Sequence, residues 1–197
     1  MRNDRQSSPT LAPSRPGPPP AERADVDYLV DAQDRIVFVV PHWEEFARAN
    51  RAREETAQPL GRSLWDFITD STMQTIYRDL LGRVRAGVSI TLPFRCDAPT
   101  LRRFMELQIE PETDGGVRFR SRLLRSEPRE AVLLLDSSIP RDDRRVVQCC
   151  SWCKRVEVAG TWEDLEVGVA RTGFMEEGPM PLLNHGICSE CEAGFTG

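Results

Sequence analysis

The 197-residue sequence lacks any long apolar run. Its longest apolar stretches, residues 36–40 and 131–135, are far shorter than the roughly 20 residues that a membrane-spanning helix needs. The N-terminus contains prolines and arginines but no apolar core of a secretory signal peptide. The sequence therefore predicts a cytoplasmic protein without a membrane partner. In that compartment, paired cysteines are more often metal ligands or redox thiols than structural disulfides.

Catalytic motifs are also scarce. The chain has only two histidines, and no Ser-His-Asp set, paired-carboxylate motif or phosphate-binding loop stands out, so we predict that it is not an enzyme. Basic side chains are few near the C-terminus, because residues 149–197 contain three of them against eight acidic ones. Nucleic-acid binding generally needs a positive surface, so we expect no nucleic-acid partner.

The composition is otherwise that of a soluble globular protein, with 40% hydrophobic and 29% charged residues. Its length allows one ordinary domain and a small second one. Residues 1–23 hold six prolines and four arginines with almost no large apolar side chains, which predicts a disordered tail. Such a tail is either a flexible leader or a proline-rich docking segment.

Four cysteines near the C-terminus form two Cys-x-x-Cys pairs, Cys150/Cys153 and Cys188/Cys191, separated by 34 residues. Each pair presents two thiolates on one tight turn, and two such turns supply the tetrahedral sulfur shell that Zn²⁺ prefers. We therefore predict a structural Zn²⁺ site in a small domain spanning residues 149–197. A redox dithiol or regulatory disulfide and an iron–sulfur centre are the alternatives.

Several residues near these pairs leave alternatives open. His185 could replace a cysteine as ligand, donate a hydrogen bond to a thiolate, or be an exposed loop residue. Cys149 could compete with Cys150, although the spacing to Cys153 favours Cys150. Cys96 falls in the apolar phase of a predicted strand, so it is a small buried side chain or, less simply, a reactive thiol. Residues 149–197 are here called the metal segment. The side chains expected to pack against its metal site are Trp152, Trp162 and Leu165.

The spacing of apolar residues predicts an α+β domain over residues 24–138. Two short strands at 28–30 and 36–40 precede a helix at 42–52 and a longer helix at 71–86, whose N-terminus has a Ser71/Gln74 capping box. After Gly87 the period changes to two, which predicts three antiparallel strands, followed by a central strand at 132–135. Five of these strands would form one antiparallel sheet with helices on one face, and residues 139–148 would be a linker.

Other candidate residues have two interpretations each. His42 is a helix-capping residue or, as the alternative, a haem ligand. Arg118, Arg120 and Arg122 are the solvated face of a strand or a surface for an anionic partner. The side chains that form the core or line an open cavity are Met73, Ile76, Leu80 and Phe94.

The order of these elements resembles a PAS domain. The resemblance rests on the stretch D-Y-L-V-D-A-Q-D-R-I-V-F-V-V from Asp27, then W-E-E-F-A-R-A-N from Trp43 and L-G-R-S-L-W-D-F-I from Leu60. It covers about residues 25–138. The C-terminal block C-S-W-C-K-R, W-x-x-L and H-G-I-C-S-E-C resembles a zinc-finger-like segment found with PAS modules in bacterial signalling proteins.

The resemblance implies a signal-transduction module that senses a signal or binds a protein. The chain shows no histidine-kinase phosphoacceptor helix, ATP-binding glycine boxes or receiver domain, so its expected partner is a separate signalling transmitter. PAS domains commonly pair, which implies a homodimer. The flavin-photoadduct motif N-C-R-F-L-Q is missing and no residue identifies a PAS ligand, so the cavity could be empty. The alternative is a redox- or zinc-responsive regulator whose switch is the cysteine cluster.

Overall fold

The computed structural model describes residues 25–49, 58–173 and 179–196. These described residues form two sheets and four α-helices. The strands are β1 (Val26–Val30), β2 (Ile36–Val39), β3 (Ile90–Arg95), β4 (Leu101–Pro111), β5 (Val117–Pro128), β6 (Arg141–Cys150), β7 (Val156–Val158), β8 (Thr161–Glu163) and β9 (Met180–Gly186). The helices are α1 (Trp43–Ala49), α2 (Ser71–Arg85), α3 (Leu165–Thr172) and α4 (Ser189–Thr196).

The first sheet has the strand order β2-β1-β5-β4-β3, and all its pairings are antiparallel. Alternate residues of β4 are buried, as expected for a sheet with one covered face. Met105, Leu107 and Ile109 belong to that face and are buried. The predicted α+β class with a five-stranded antiparallel sheet is therefore confirmed.

Helix α2 covers this sheet with an apolar stripe at helical spacing. Its buried side chains Met73, Ile76 and Leu80 share a core with Ile109 and Phe119 of the sheet. The predicted helix is confirmed, but its predicted cap is wrong by one residue. Asp70, not Ser71, is the N-cap, and its carboxylate accepts a hydrogen bond of 2.8 Å from the Met73 N–H. A carboxylate at this position also interacts favourably with the helix dipole.

The arginines of β5 are neutralised by acidic side chains of neighbouring strands. Arg118 forms two hydrogen bonds with the Asp27 carboxylate, at 2.9 and 2.7 Å. Arg120 pairs with Glu110 at 2.6 Å and Arg122 with Glu106 at 2.8 Å. Because each positive charge has a carboxylate beside it, this face is not the one-signed surface that an anionic partner would need.

The second sheet has the strand order β8-β7-β6-β9, in which β6 and β9 are parallel. The prediction that residues 139–148 form a linker is wrong, because most of them belong to β6. Pro140 and the charged residues after it indicated a loop. In the structure Pro140 directly precedes the strand, and the charges lie on its exposed part, where Arg144 hydrogen-bonds Asp142 at 3.1 Å.

The apolar run at 132–135 is not the predicted central strand. It contains a 3₁₀ turn at Leu133–Leu135, which buries Leu134 completely. A run of four apolar residues shows no period, so its sequence does not distinguish a strand from a turn. Val132 and Leu134 pack with Val147, Leu165 and other residues of a second core. That core therefore begins before residue 139.

Two further predictions concern chain ends and membranes. The tail at 1–23 lies outside the described residues, as do residues 50–52 of the helix predicted at 42–52. Among the residues that the structure describes, no helix has the length and apolar character needed to cross a membrane.

Two helical glycines differ in the space around them and lead to a paired prediction. A Cβ atom at Gly168 would lie 2.3 Å from Cγ2 of Val156, whereas one at Gly82 would meet nothing within 4 Å. We expect Gly168→Ala to lower the free energy of unfolding by about 1–3 kcal/mol through overpacking. Gly82→Ala should raise it by up to about 1 kcal/mol through helix propensity. Urea unfolding of both variants measures the difference, and shifts of the same sign would contradict it.

Candidate metal centre

The two Cys-x-x-Cys pairs are brought together at one end of the second sheet. Cys150 is the last residue of β6, and Cys153 lies on the turn that follows. Cys188 lies between β9 and α4, and Cys191 is in the first turn of α4. The four Sγ atoms all lie within 4.8 Å of one another, and those of Cys153 and Cys188 are 3.7 Å apart. The predicted convergence of the two pairs is therefore observed.

This spacing fits a single tetrahedral metal ion. A Zn–S bond of about 2.3 Å implies sulfur atoms about 3.8 Å apart. All six cysteines are free thiols, and the Cys153–Cys188 separation of 3.7 Å is far longer than the ~2.05 Å of a disulfide. A cluster with two or four irons would hold some or all of these sulfurs further apart, because they would bind different irons. Four close cysteines of this kind can hold one metal ion.

Backbone hydrogen bonds build the first ligand turn. The Lys154 N–H donates to the Cys150 carbonyl at 3.0 Å, and Lys154 has a left-handed φ of 66° that closes the turn. The Cys153 N–H lies 3.5 Å from Cys150 Sγ and points to it. The Ser151 N–H donates to the Gly186 carbonyl at 2.8 Å. This last bond joins the two ligand loops through the main chain.

The cysteine pKa values show where protons are held without a metal. The pKa of Cys150 is lowered to about 4, because the Cys153 thiol and nearby backbone N–H groups donate hydrogen bonds to its sulfur. The pKa of Cys153 is raised, since its proton forms that hydrogen bond and its sulfur is partly buried. Burial, together with the Cys150 charge, raises the pKa of Cys191 to about 12. A metal ion must therefore displace protons from Cys153 and Cys191.

Cys149 and Cys150 point to opposite faces of β6, as neighbouring residues of a strand must. Cys150 belongs to the cluster and to the first core, whereas Cys149 is buried in the second core. Burial raises the pKa of the Cys149 thiol to about 11, which makes it an unreactive apolar side chain. Strand alternation thus separates two cysteines that the sequence places side by side.

The other candidate residues lie outside the four-sulfur cluster. His185 is an exposed residue of β9, and its ring contributes no atom to the cluster. Cys96 is half-buried, with its sulfur 3.8 Å from the guanidinium of Arg103. A ring nitrogen of His42 lies 3.2 Å from the Asp25 carbonyl oxygen. Met73, Ile76 and Leu80 are core residues, as predicted.

Trp152 attaches the loop at 150–155, which carries Cys150 and Cys153 and is here called the metal loop, to the first sheet. Its indole N–H donates to the Pro93 carbonyl at 2.6 Å, and its own carbonyl accepts from the Arg95 N–H at 2.8 Å. Its ring also contacts Phe94 and Phe195, at centroid distances of 5.7 and 4.8 Å. The sequence predicted that Trp152 packs near the metal, but it gave no indication that β3 would be the partner.

A network of ion pairs forms a second connection between the sheets. The Asp97 carboxylate is inaccessible to solvent and lies 3.0 Å from Arg129 and in contact with Arg95. Arg129 and Arg102 each reach the Glu166 carboxylate of α3 at 2.7 Å. Replacing one partner of such a buried group leaves the other charge unpaired. The metal segment is therefore held to the sheet by polar as well as apolar contacts.

A cavity of about 240 Å³ lies between α2, the sheet and the metal loop. Its walls include Tyr28, Tyr77, Phe94, Cys96 and Trp152. Burial raises the pKa of both tyrosines, that of Tyr77 to about 12, so both phenols are neutral at physiological pH. Phe94, which the sequence assigned either to the core or to a cavity wall, is half-buried at this cavity.

Comparisons with known proteins give only structural matches. No protein-family model matches the sequence, and no curated protein matches it. A domain of a sensory box sensor histidine kinase/response regulator from Geobacter sulfurreducens is 16% identical over 51% of this chain and 84% of that chain, with a TM-score of 0.35. A sensory box sensor histidine kinase from Vibrio cholerae is 13% identical over 52% and 83%, also at 0.35. The PAS domain of an HTR-like protein from Haloarcula marismortui is 16% identical over 55% and 90%, at 0.30.

Proposed function

We propose that the protein is a non-catalytic signal-transduction module, in which a PAS-like sensing or interaction domain is joined to a segment folded around a structural Zn²⁺. The ligands are Cys150, Cys153, Cys188 and Cys191. The observation that carries the proposal is the convergence of these four sulfurs within 4.8 Å. Zn²⁺ is the ion that best suits four thiolates with no open coordination position.

The five-stranded sheet and its covering helix support the PAS-like part of the proposal. The loop that carries Cys150 and Cys153 lies on β3 of that sheet through Trp152, so this contact connects the two parts of the proposed module. A cytoplasmic location, a homodimer and a separate signalling transmitter as partner remain predictions of the sequence. So do the boundaries of the tail and of the domains, apart from the linker corrected above.

One observation favours the redox- or zinc-responsive alternative. Cys153 and Cys191 are only half-buried, unlike Cys150 and Cys188, so oxidants can reach two of the four sulfurs. Oxidation of these thiolates would release the metal and free the loop that carries Trp152. In this second proposal the same four cysteines act as the switch and not only as a structural centre.

The proposal predicts a tightly held zinc ion. Protein purified without added metal or chelator should contain one zinc per chain by elemental analysis, and none or little iron. Acidification should release the metal, because protons compete for Cys153 and Cys191, whose pKa values are raised in the metal-free cluster. The affinity of the four-cysteine site for Zn²⁺ should therefore fall as the pH falls. A protein that is fully folded without metal would contradict a structural zinc site. One iron per chain would show that the ion held by the four cysteines is iron and not zinc.

A further inference from the structure

An apolar groove of about 470 Å³ runs between the sheet and the metal segment. One wall comes from the sheet and the other from the metal loop and α4. Its side chains include Leu92, Phe94, Phe104, Leu124, Trp152 and Phe195. Leu124 is 52% exposed, although it is a large apolar residue. Apolar grooves of this kind on a soluble protein mark sites where another segment binds.

The aromatic rings of this groove are not parallel. Phe94 and Trp152 meet at 45°, and Trp152 and Phe195 meet at 83°. These rings pack against one another and form the aromatic part of the groove wall. Aromatic-lined grooves bind proline-rich segments in the polyproline II conformation, because that helix is already extended and loses little entropy on binding.

The chain contains a segment with the matching pattern. Pro13, Pro16 and Pro19 are spaced three residues apart, and a polyproline II helix has three residues per turn. These three prolines therefore lie on one face of such a helix. The other prolines of residues 1–23 are Pro9, Pro18 and Pro20, and they lie on other faces. The segment belongs to residues 1–24, which lie outside the described part of the chain.

The first described residue lies next to the groove. The Asp25 carboxylate accepts a hydrogen bond of 2.7 Å from the Leu123 N–H, and the following residue, Leu124, lines the groove. Five residues separate Pro19 from Asp25, which span about 16 Å at the polyproline II rise of ~3.1 Å per residue. A segment attached at this point has an effective concentration in the millimolar range.

Charge also favours this segment. Residues 1–24 carry four arginines and two acidic residues, a net charge of +2, whereas residues 149–197 carry −5. Two of the proposed zinc ligands, Cys153 and Cys191, line the groove. Arg15 lies between Pro13 and Pro16 in the sequence. Arg95, which also lines the groove, is already paired with Asp97.

We propose that this groove is the docking site of the chain's own proline-rich segment, residues 13–19, bound as a polyproline II helix. The proposal goes beyond the signalling function proposed above. It adds a contact by which the N-terminal segment covers the junction of sheet and metal segment. A proline-rich partner would have to displace it in order to bind there.

The test is a competition experiment with full-length protein. A fluorescent peptide of residues 10–21 is titrated into three chains: the natural one, one with Pro13, Pro16 and Pro19 replaced by Ala, and a control with Pro9, Pro18 and Pro20 replaced by Ala. The tethered segment competes with the peptide. Its loss in the first variant should tighten peptide binding by one plus the ratio of the effective concentration to the dissociation constant, which is about tenfold for a dissociation constant of ~0.1 mM and an effective concentration of ~1 mM. The control variant should behave like the natural chain.

Three further substitutions locate the binding site, each made in the Pro13, Pro16, Pro19 variant. Leu124→Lys places a positive charge in the apolar groove, which repels a peptide that carries Arg15, and should abolish peptide binding, and Leu124→Ala should weaken it. Val146→Lys changes an equally exposed residue of β6 outside the groove and should leave binding unchanged. Zinc content measured on each chain separates a failure of this proposal from a failure of the metal site.

Three results would overturn the proposal. The first is the absence of saturable peptide binding to the chain with the altered prolines. The second is equal binding to that chain and to the natural one, which would make the groove a site for a proline-rich partner only. The third is a natural chain that dimerises in sedimentation experiments while the Pro13, Pro16, Pro19 variant does not, which would assign the groove to the segment of a second copy.

Discussion

Replacing Cys150 by serine should abolish stoichiometric metal binding, whereas the same change at Cys149 should not affect it. Cys150 belongs to the four-sulfur cluster, and Cys149, one residue earlier, points into the second core. The binding free energy of structural zinc in small domains is about 10–16 kcal/mol at neutral pH. This is as large as the whole stability of a typical domain, about 5–15 kcal/mol. Losing one ligand should therefore disorder the two ligand loops and α4.

Elemental analysis and far-ultraviolet circular dichroism measure both effects. Cys150→Ser should contain essentially no zinc and have less helix, and its unfolding in urea should begin at lower concentration. Cys149→Ser is the matched control, because it removes a neighbouring thiol and also tests whether the second core tolerates a hydroxyl. Cys96→Ser, at a half-buried cysteine outside the cluster, should also retain its zinc. If Cys149→Ser lost the metal and Cys150→Ser kept it, the assignment of ligands would be wrong.

Truncating Trp152 should separate the metal segment from the first sheet without removing a metal ligand. We expect Trp152→Ala to lower the free energy of unfolding by about 3–5 kcal/mol, the usual cost of removing a large buried ring. The ring lies between Phe94 and Phe195, and its N–H bonds the Pro93 carbonyl at 2.6 Å. The zinc content should not change. Denaturant unfolding with saturating zinc measures the loss.

Two control variants divide this effect into its parts. Trp152→Phe keeps an aromatic ring but loses the hydrogen bond and part of the buried indole, so it should cost more than the ~0.5–1.5 kcal/mol of a hydrogen bond and less than Trp152→Ala. Trp162→Ala removes a ring that is only partly buried at the margin of the same core and should cost less than Trp152→Ala. If Trp152→Ala were as stable as the natural chain, the contact with β3 would not hold the metal segment in place.

The sequence predicted the first sheet and its covering helix well, because both have clear periods. Alternation along β4 and the apolar stripe of α2 each left a repeating signal. The cluster of four cysteines was also predictable, since Cys-x-x-Cys spacing is a local pattern that suits a tetrahedral metal ion. These are features whose causes lie within a few residues of one another.

The features that the sequence did not predict depend on distant partners. The charges after Pro140 indicated a linker, yet β6 forms there because β9, more than thirty residues later, supplies hydrogen-bonding partners. The hydrogen bonds of Trp152 to β3 span 59 residues, and nothing in the local sequence identifies them. The buried ion pairs of Asp97 likewise depend on the fold, which brings both Arg95 and Arg129 to its carboxylate.

The parallel pairing of β6 and β9 brings the two cysteine turns to the same end of the second sheet. Cys150 and Gly186 are partners at the ends of the two strands, so both ligand turns leave the sheet at the same end. The pairing of the two strands limits how far apart the ligand turns can be, and the metal ion then orders the turns themselves. Extra residues inserted between Gly173 and Pro179, on the excursion that joins the strands, should accordingly leave the speed of zinc uptake unaltered.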